Sequence, residues 1–195
     1  MPSFFLASQS PRRRELLHQI GVVFDVLSVD VPEEPQAGES PQNYVQRLAR
    51  SKSEAGARLQ PESVVLGADT IVVAQGRILE KPQDREQAIA MLLTLSASTH
   101  HVMTAVSLTL GKRNETRLCI SDVSFRAISE AEAKDYWHTG EPKDKAGGYG
   151  IQGLGAVFVE SIKGSYSNVV GLPLFETHQL LKLFQIPVWR VETEL

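Results

Sequence analysis

At 195 residues and 42% hydrophobic content, the chain is long enough to bury a real core, as one large domain or two small lobes. A net charge of −3 argues against a general nucleic-acid binder, which would be basic, while leaving room for a local basic pocket. A single cysteine, Cys119, excludes an internal disulfide and fits a reducing cytoplasm, and no segment approaches the length of a membrane span.

Residues 3–7 read as a first strand. The run is too short for a signal sequence, and its arginines follow it rather than precede it. Ser10-Pro11 gives a cap followed by proline at the first helical position. That helix continues through Leu16, Leu17 and Ile20 and stops at Gly21. Residues 22–28 read as a second strand. Pro32 to Pro41, acidic and rich in proline and glycine, reads as a long loop at a cleft mouth. Ser40-Pro41 repeats the cap signal and opens a long helix with Tyr44, Val45, Leu48, Ala55 and Leu59 on one stripe. Lys52 falls on that inward stripe, so its ammonium either snorkels out or points into a cleft.

Val64 to Ala74 reads as a central strand covered on both faces. Gln75-Gly76 then makes a turn into a short strand at 77–79. Asp84 caps a helix that turns Ala88, Met91, Leu92 and Leu95 inward. Residues 100–110 and 117–127 form two long strands joined by a hairpin from Gly111 to Glu115. Cys119 reads as a buried thiol on the second of them. Ser129 and Glu132 form a capping box for a helix ending near His138. Residues 146–155 are a glycine-rich loop, 156–162 a strand, and Gly164 to Ser167 a turn. Leu172-Pro173 opens a last helix ending at Phe184. The tail after Pro187 carries Trp189, which packs on the body or on a partner. A β-α-β start followed by hairpins gives an α/β architecture with a mixed sheet.

The central strand carries Asp69. A carboxylate in an apolar strand is costly unless a cation, a metal or a proton answers it. It either bonds a neighbouring backbone group or Thr70, or serves as a base or metal ligand. Ser8-Gln9-Ser10-Pro11-Arg12-Arg13-Arg14 joins a strand end to a helix N-terminus. Backbone N–H groups, hydroxyls and an arginine fork there make either a phosphate cradle or a plain capped basic turn. Glu33 lies in the long loop, where it is either solvated or a second oxygen ligand for magnesium beside Asp69. Lys81, between Glu80 and Pro82, is either a surface lysine or a cation for an anionic substrate. The glycine-dense stretch from Asp144 to Gly153 has neither the Walker ending nor the dinucleotide fingerprint. Its glycines serve positive φ or close approach to a ligand. Gln152 offers there an amide suited to the imide edge of uracil or thymine.

Five motifs stand in order: Ser-x-Ser-Pro-Arg-Arg at 8–13, Gly-Ala-Asp-Thr at 67–70, Glu-Lys-Pro at 80–82, Asp-Lys-Ala-Gly-x-Tyr-Gly-Ile-Gln-Gly at 144–153 and Gly-Leu-Pro-Leu at 171–174. Together they resemble the Maf nucleoside triphosphate pyrophosphatases over nearly the whole chain, about residues 3–185. The resemblance implies an ITPase-like (Maf/Ham1) α/β fold, one domain over 1–195 whose mixed, elongated sheet is flanked by helices and whose two lobes surround a central cleft. It implies hydrolysis of a nucleoside triphosphate to monophosphate and pyrophosphate with Mg²⁺ or Mn²⁺, and a homodimer. Asp69 would be the proton acceptor and a metal ligand, with Glu33 as the second acid. Arg12, Thr70 and Gln152 would set base specificity, in a combination that resembles the dTTP/UTP subgroup. Ser8, Ser10, Arg13, Lys52 and Lys81 would contact phosphates. Pro32 departs from the pattern, because a second acid often precedes the glutamate.

Three functions fit this pattern. The first is a dTTP/UTP pyrophosphatase. The second is a house-cleaning pyrophosphatase for modified pyrimidine nucleotides, which shares its chemistry. The third is a nucleotide-binding regulator of septum formation without turnover. Asp69 counts against the third, since a pure anion sensor gains nothing from a carboxylate facing a triphosphate.

Overall fold

The structure, a computed structural model, describes residues 3–190. It is a mixed α/β fold built on a seven-stranded sheet. The strands are β1 (Phe4–Leu6), β2 (Asp25–Val26), β3 (Val64–Ala74), β4 (Arg77–Leu79), β5 (Thr99–Leu110), β6 (Arg113–Phe125) and β7 (Val159–Lys163). The helices are α1 (Pro11–Gln19), α2 (Pro41–Leu59), α3 (Arg85–Leu95), α4 (Glu130–His138), α5 (Tyr166–Val170) and α6 (Leu174–Leu183). Strand order is β2-β1-β3-β5-β6-β7, with β4 paired to β3. β1 runs parallel to both β2 and β3, whereas β4 folds back antiparallel on β3.

Where the elements depart from the sequence reading, local bonds explain it. The second strand is only two residues long, because it has just Phe5 and Leu6 of the short β1 to pair with. The β5–β6 hairpin closes through Gly111-Lys112 alone, with Gly111 at φ 56°. Asn114 is therefore inside β6, where its Nδ2 donates to Ser107 Oγ at 2.8 Å and Thr109 Oγ1 at 2.7 Å. Cys119 is half-buried rather than buried. Residues 154–158 form a 3₁₀ turn, so the next strand starts at Val159. The expected turn at 164–167 runs into α5, which opens where Ser165 Oγ accepts from the Asn168 N–H at 3.2 Å.

The chain divides into two compact units. One comprises the residues through Asp69, Thr104–Cys119 and those from Gly171 on. Its core holds Leu6, Leu17, Val45, Leu48, Leu66, Leu108, Leu172 and Leu180, all fully buried. Each such side chain stabilises the fold by about 1.5–3 kcal/mol. A buried hydroxyl pair, Ser53 Oγ and Thr109 Oγ1 at 2.8 Å, ties α2 to β5. After α1 the chain reverses at Gly21 (φ 66°). There the tail returns: the Trp189 N–H donates to Ile20 O at 2.8 Å, while its ring stays 75% exposed.

The other unit comprises Thr70–Met103 and Ile120–Val170. Its core joins Val72, Leu92, Leu95, Val102 and Val123 to an aromatic group of Phe125, Tyr136, Tyr149 and Phe158. Edge-on pairs order the rings, with centroids 4.7 Å apart for Phe125–Tyr149 and 5.0 Å for Tyr136–Phe158. α4 opens with the predicted Ser129–Glu132 capping box, and α3 is capped by Asp84.

Candidate active site

The site begins with a missing side chain. A Cβ on Gly67 of β3 would overlap the Ala49 carbonyl oxygen and the Ser53 nitrogen of α2. Glycine thus lets the helix backbone lie directly on the strand, the close approach that a strand glycine marks. Lys52, on that face of α2, is brought against Asp69, two residues past Gly67. Lys52 Nζ donates to Asp69 Oδ1 at 2.7 Å and meets Glu33 Oε1 at 2.6 Å. The lysine and aspartate side chains are 13% and 12% exposed, that of Glu33 55%. The central acid thus has a cation to answer it, and two carboxylates converge on one point charge.

Glu33 is placed from α2 as well. The Tyr44 hydroxyl donates to the Glu33 carbonyl oxygen at 2.5 Å. Arg47 donates to the Glu34 carbonyl at 2.9 Å and to both carboxylate oxygens of Glu39 at 2.7 and 2.8 Å. Those bonds hold the Glu39 carboxyl down at about 2. The expected Pro32–Pro41 loop is present, and three side chains strap it to the helix that follows it.

The basic motif after β1 converges on the same region. Ser8 Oγ accepts from the Ser10 N–H at 3.2 Å and from Arg13 Nη1 at 3.1 Å. Arg13 Nε is anchored on the Gly171 carbonyl at 2.9 Å. Burial lowers the arginine's pKa; Asp69 works against that, Arg12 adds to it, and Glu33 opposes it. Ser10 occupies the N-cap position of α1, but its hydroxyl makes no capping bond. One unit therefore gathers Ser8, Ser10, Arg12, Arg13, Glu33, Lys52 and Asp69.

Thr70, Lys81 and Gln152 belong to the other unit. Thr70 follows Asp69 in β3 and is half-buried. Lys81 is exposed, between β4 and α3. Gln152 is exposed in the glycine-rich segment. That segment is bound into its own unit: the Gly147 N–H donates to Glu80 O at 3.1 Å, and a Cβ on Gly147 would press on Val72.

The sequence matches the family described as Maf-like protein over residues 3–184. The chain belongs to the Maf-like protein family. A dTTP/UTP pyrophosphatase of Saccharophagus degradans is 63% identical over 190 residues, covering 95% of this chain and 90% of its own. Relatives with the same name are 50% identical in Photorhabdus laumondii (94% of this chain, 95% of theirs) and 53% identical in Yersinia pestis (94% of each).

In this Maf-like protein the donor set suits a hard divalent cation. Magnesium takes one or two carboxylates and completes its shell with water and phosphate oxygens. Asp69 and Glu33 offer two such carboxylates at one point. Among the described residues no group of three or more acidic, histidine or cysteine side chains forms a self-sufficient metal cage. No described helix is long and apolar enough to cross a membrane. Sequence reasoning missed Gly67, Tyr44 and Arg47. Only the first left a signal, a glycine inside a strand rich in β-branched residues.

Proposed function

We propose that this chain hydrolyses dTTP and UTP to the monophosphate and pyrophosphate, with residues 1–195 acting as one catalytic domain in the cytoplasm. The observation that carries the reading is the convergence of Asp69 and Glu33 on Lys52, with Arg13 close enough to feel both carboxylates, because hydrolysis of a triphosphate calls for carboxylates and cations together. Relatives named for this activity over nine-tenths of the chain support it.

Asp69 orients a water and takes its proton as the oxygen attacks the α-phosphorus. The bond from that phosphorus to the bridging oxygen breaks, and pyrophosphate leaves. Lys52, Arg13 and Lys81 neutralise the charge that grows on the leaving group. Ser8 and Ser10 contribute hydroxyls to the phosphates. Asp69 and Glu33 would hold Mg²⁺ or Mn²⁺, which when bound supplies further charge neutralisation on the phosphates. Thr70, Gln152 and Arg12 set the choice of base. A pocket built for a carbonyl beside a ring N–H rejects cytosine, whose amino group would leave polar partners unpaired.

The test is a panel of nucleoside triphosphates with Mg²⁺ and with Mn²⁺, scoring monophosphate and pyrophosphate. Release from dTTP and UTP, with little from CTP or purines, supports the reading. Faster release from modified pyrimidines would move the substrate to the house-cleaning class. Tight binding of dTTP without any pyrophosphate would favour the regulator. Sedimentation of the same preparation measures the homodimer that the family resemblance implies.

A further inference from the structure

Gln152 sits at the tip of a short turn, and the two sides of that turn are fastened to two side chains that are bonded to each other. On the near side the Gly150 N–H donates to the Tyr136 hydroxyl oxygen at 3.2 Å. On the far side the Leu154 N–H donates to Glu141 Oε2 at 2.8 Å and the Gly155 N–H to Glu141 Oε1 at 2.9 Å. The pair is itself joined, Tyr136 O–H donating to Glu141 Oε1 at 2.6 Å. Burial works to raise the Glu141 pKa, but these donors and Lys145 outweigh it and leave the carboxyl below its usual range.

The fit has no slack. A Cβ on Gly153 would overlap the Glu141 carboxylate, and one on Gly155 would come within 2.6 Å of the Tyr136 oxygen. Tyr136 is buried in α4 against Phe158, so the clamp is referred to the aromatic core and not to another loop. Three backbone donors, one phenol and one carboxylate thus set the geometry of a hexapeptide, residues 150–155, whose exposed part is Gln152, Gly153 and Leu154. The backbone thereby fixed is the one that carries the exposed Gln152.

We propose that Tyr136 and Glu141 are positioning residues that hold Gln152 in register for base recognition, so that discrimination among pyrimidines depends on two residues that touch no substrate. The proposal rests on Gln152 reading the base. It deepens that reading by naming what fixes the point from which an exposed amide reaches the base: on a loose turn the amide would drift away from the pyrimidine edge it pairs with.

The experiment compares kcat and KM for dTTP and dCTP in the wild type, Tyr136→Phe, Glu141→Gln, Gln152→Ala and the Glu141→Gln/Gln152→Ala double variant. Tyr136→Phe keeps the ring in the core and serves if Glu141→Gln fails to fold. Tyr136→Phe and Glu141→Gln are expected to lower the dTTP over dCTP ratio of kcat/KM by about tenfold, mainly through KM for dTTP. The double variant is expected to discriminate no worse than Gln152→Ala alone. A purely structural role would lower both nucleotides alike and leave the ratio where it was, and that result overturns the proposal. So does an additive loss in the double variant. A full wild-type ratio in Gln152→Ala would instead sink the base-reading role of Gln152, and the purpose of the clamp with it.

Discussion

Lys52 Nζ lies 2.7 Å from Asp69 Oδ1 because nothing but a hydrogen stands on Gly67 between helix α2 and strand β3. A local backbone choice thus determines the central electrostatic pair. Gly67→Ala would drive a methyl into the Ala49 carbonyl and the Ser53 amide, which are backbone and cannot swing aside. We expect a loss of about 1–3 kcal/mol in urea unfolding, in the range of overpacked cores. Pyrophosphate release should fall by far more than the folded fraction does. A variant as active and as stable as the wild type would show that the helix does not need this approach.

Arg47 straps the acidic loop without joining the chemistry. Its bond to the Glu34 carbonyl and its fork on Glu39 keep Glu33 over α2. Arg47→Ala should raise the Mg²⁺ concentration for half-maximal dTTP hydrolysis by about three- to tenfold, the worth of one ordinary hydrogen bond. Turnover at saturating Mg²⁺ should change little. An unaltered Mg²⁺ titration would mean that Tyr44 and Lys52 place the loop without Arg47.

His100 makes stability depend on pH. It is buried between Phe125 and Tyr149, its Nε2 paired with the Tyr149 hydroxyl at 2.8 Å and its Nδ1 buried without a partner among the described residues. Burial first, and the neighbouring His101 second, push its pKa from 6.5 down to about 4. The unfolded chain therefore binds a proton between pH 6.5 and 4 that the native state refuses. This contribution is whole above pH 6.5 and is lost as pH falls toward 4. From pH 7.5 to pH 5 it amounts to about 2 kcal/mol. Urea unfolding of His100→Phe across that range should track pH less steeply than the wild type by this amount. Parallel curves would show that His100 takes up its proton equally well folded and unfolded.

Much of this was legible in the sequence, and what was not has a common cause. The bounds of β3 at Val64 and Ala74 follow from a run that is apolar but for Asp69 and Thr70 and is ended by Gln75-Gly76. The caps at Ser40, Asp84 and Ser129 follow from side chains that bond their own next turn. Lys52 announced itself by falling on the buried stripe of α2. The Tyr44 bond to the Glu33 carbonyl left no trace, because any backbone oxygen would look the same in a sequence. Glu141 sits three residues before the motif that begins at Asp144, and its partners include the backbone amides of Leu154 and Gly155, in a stretch that reads simply as loop. Short β2 and the 3₁₀ turn at 154–158 were missed for the same reason: both are set by what lies opposite them, not by their own residues.

The account stands or falls on Asp69 as the proton acceptor. The most direct measurement is pyrophosphate release from dTTP with Mg²⁺ by Asp69→Asn, alongside its urea midpoint. Turnover should drop by at least ~10²-fold while the variant stays folded. Unchanged release by a folded Asp69→Asn protein would contradict it.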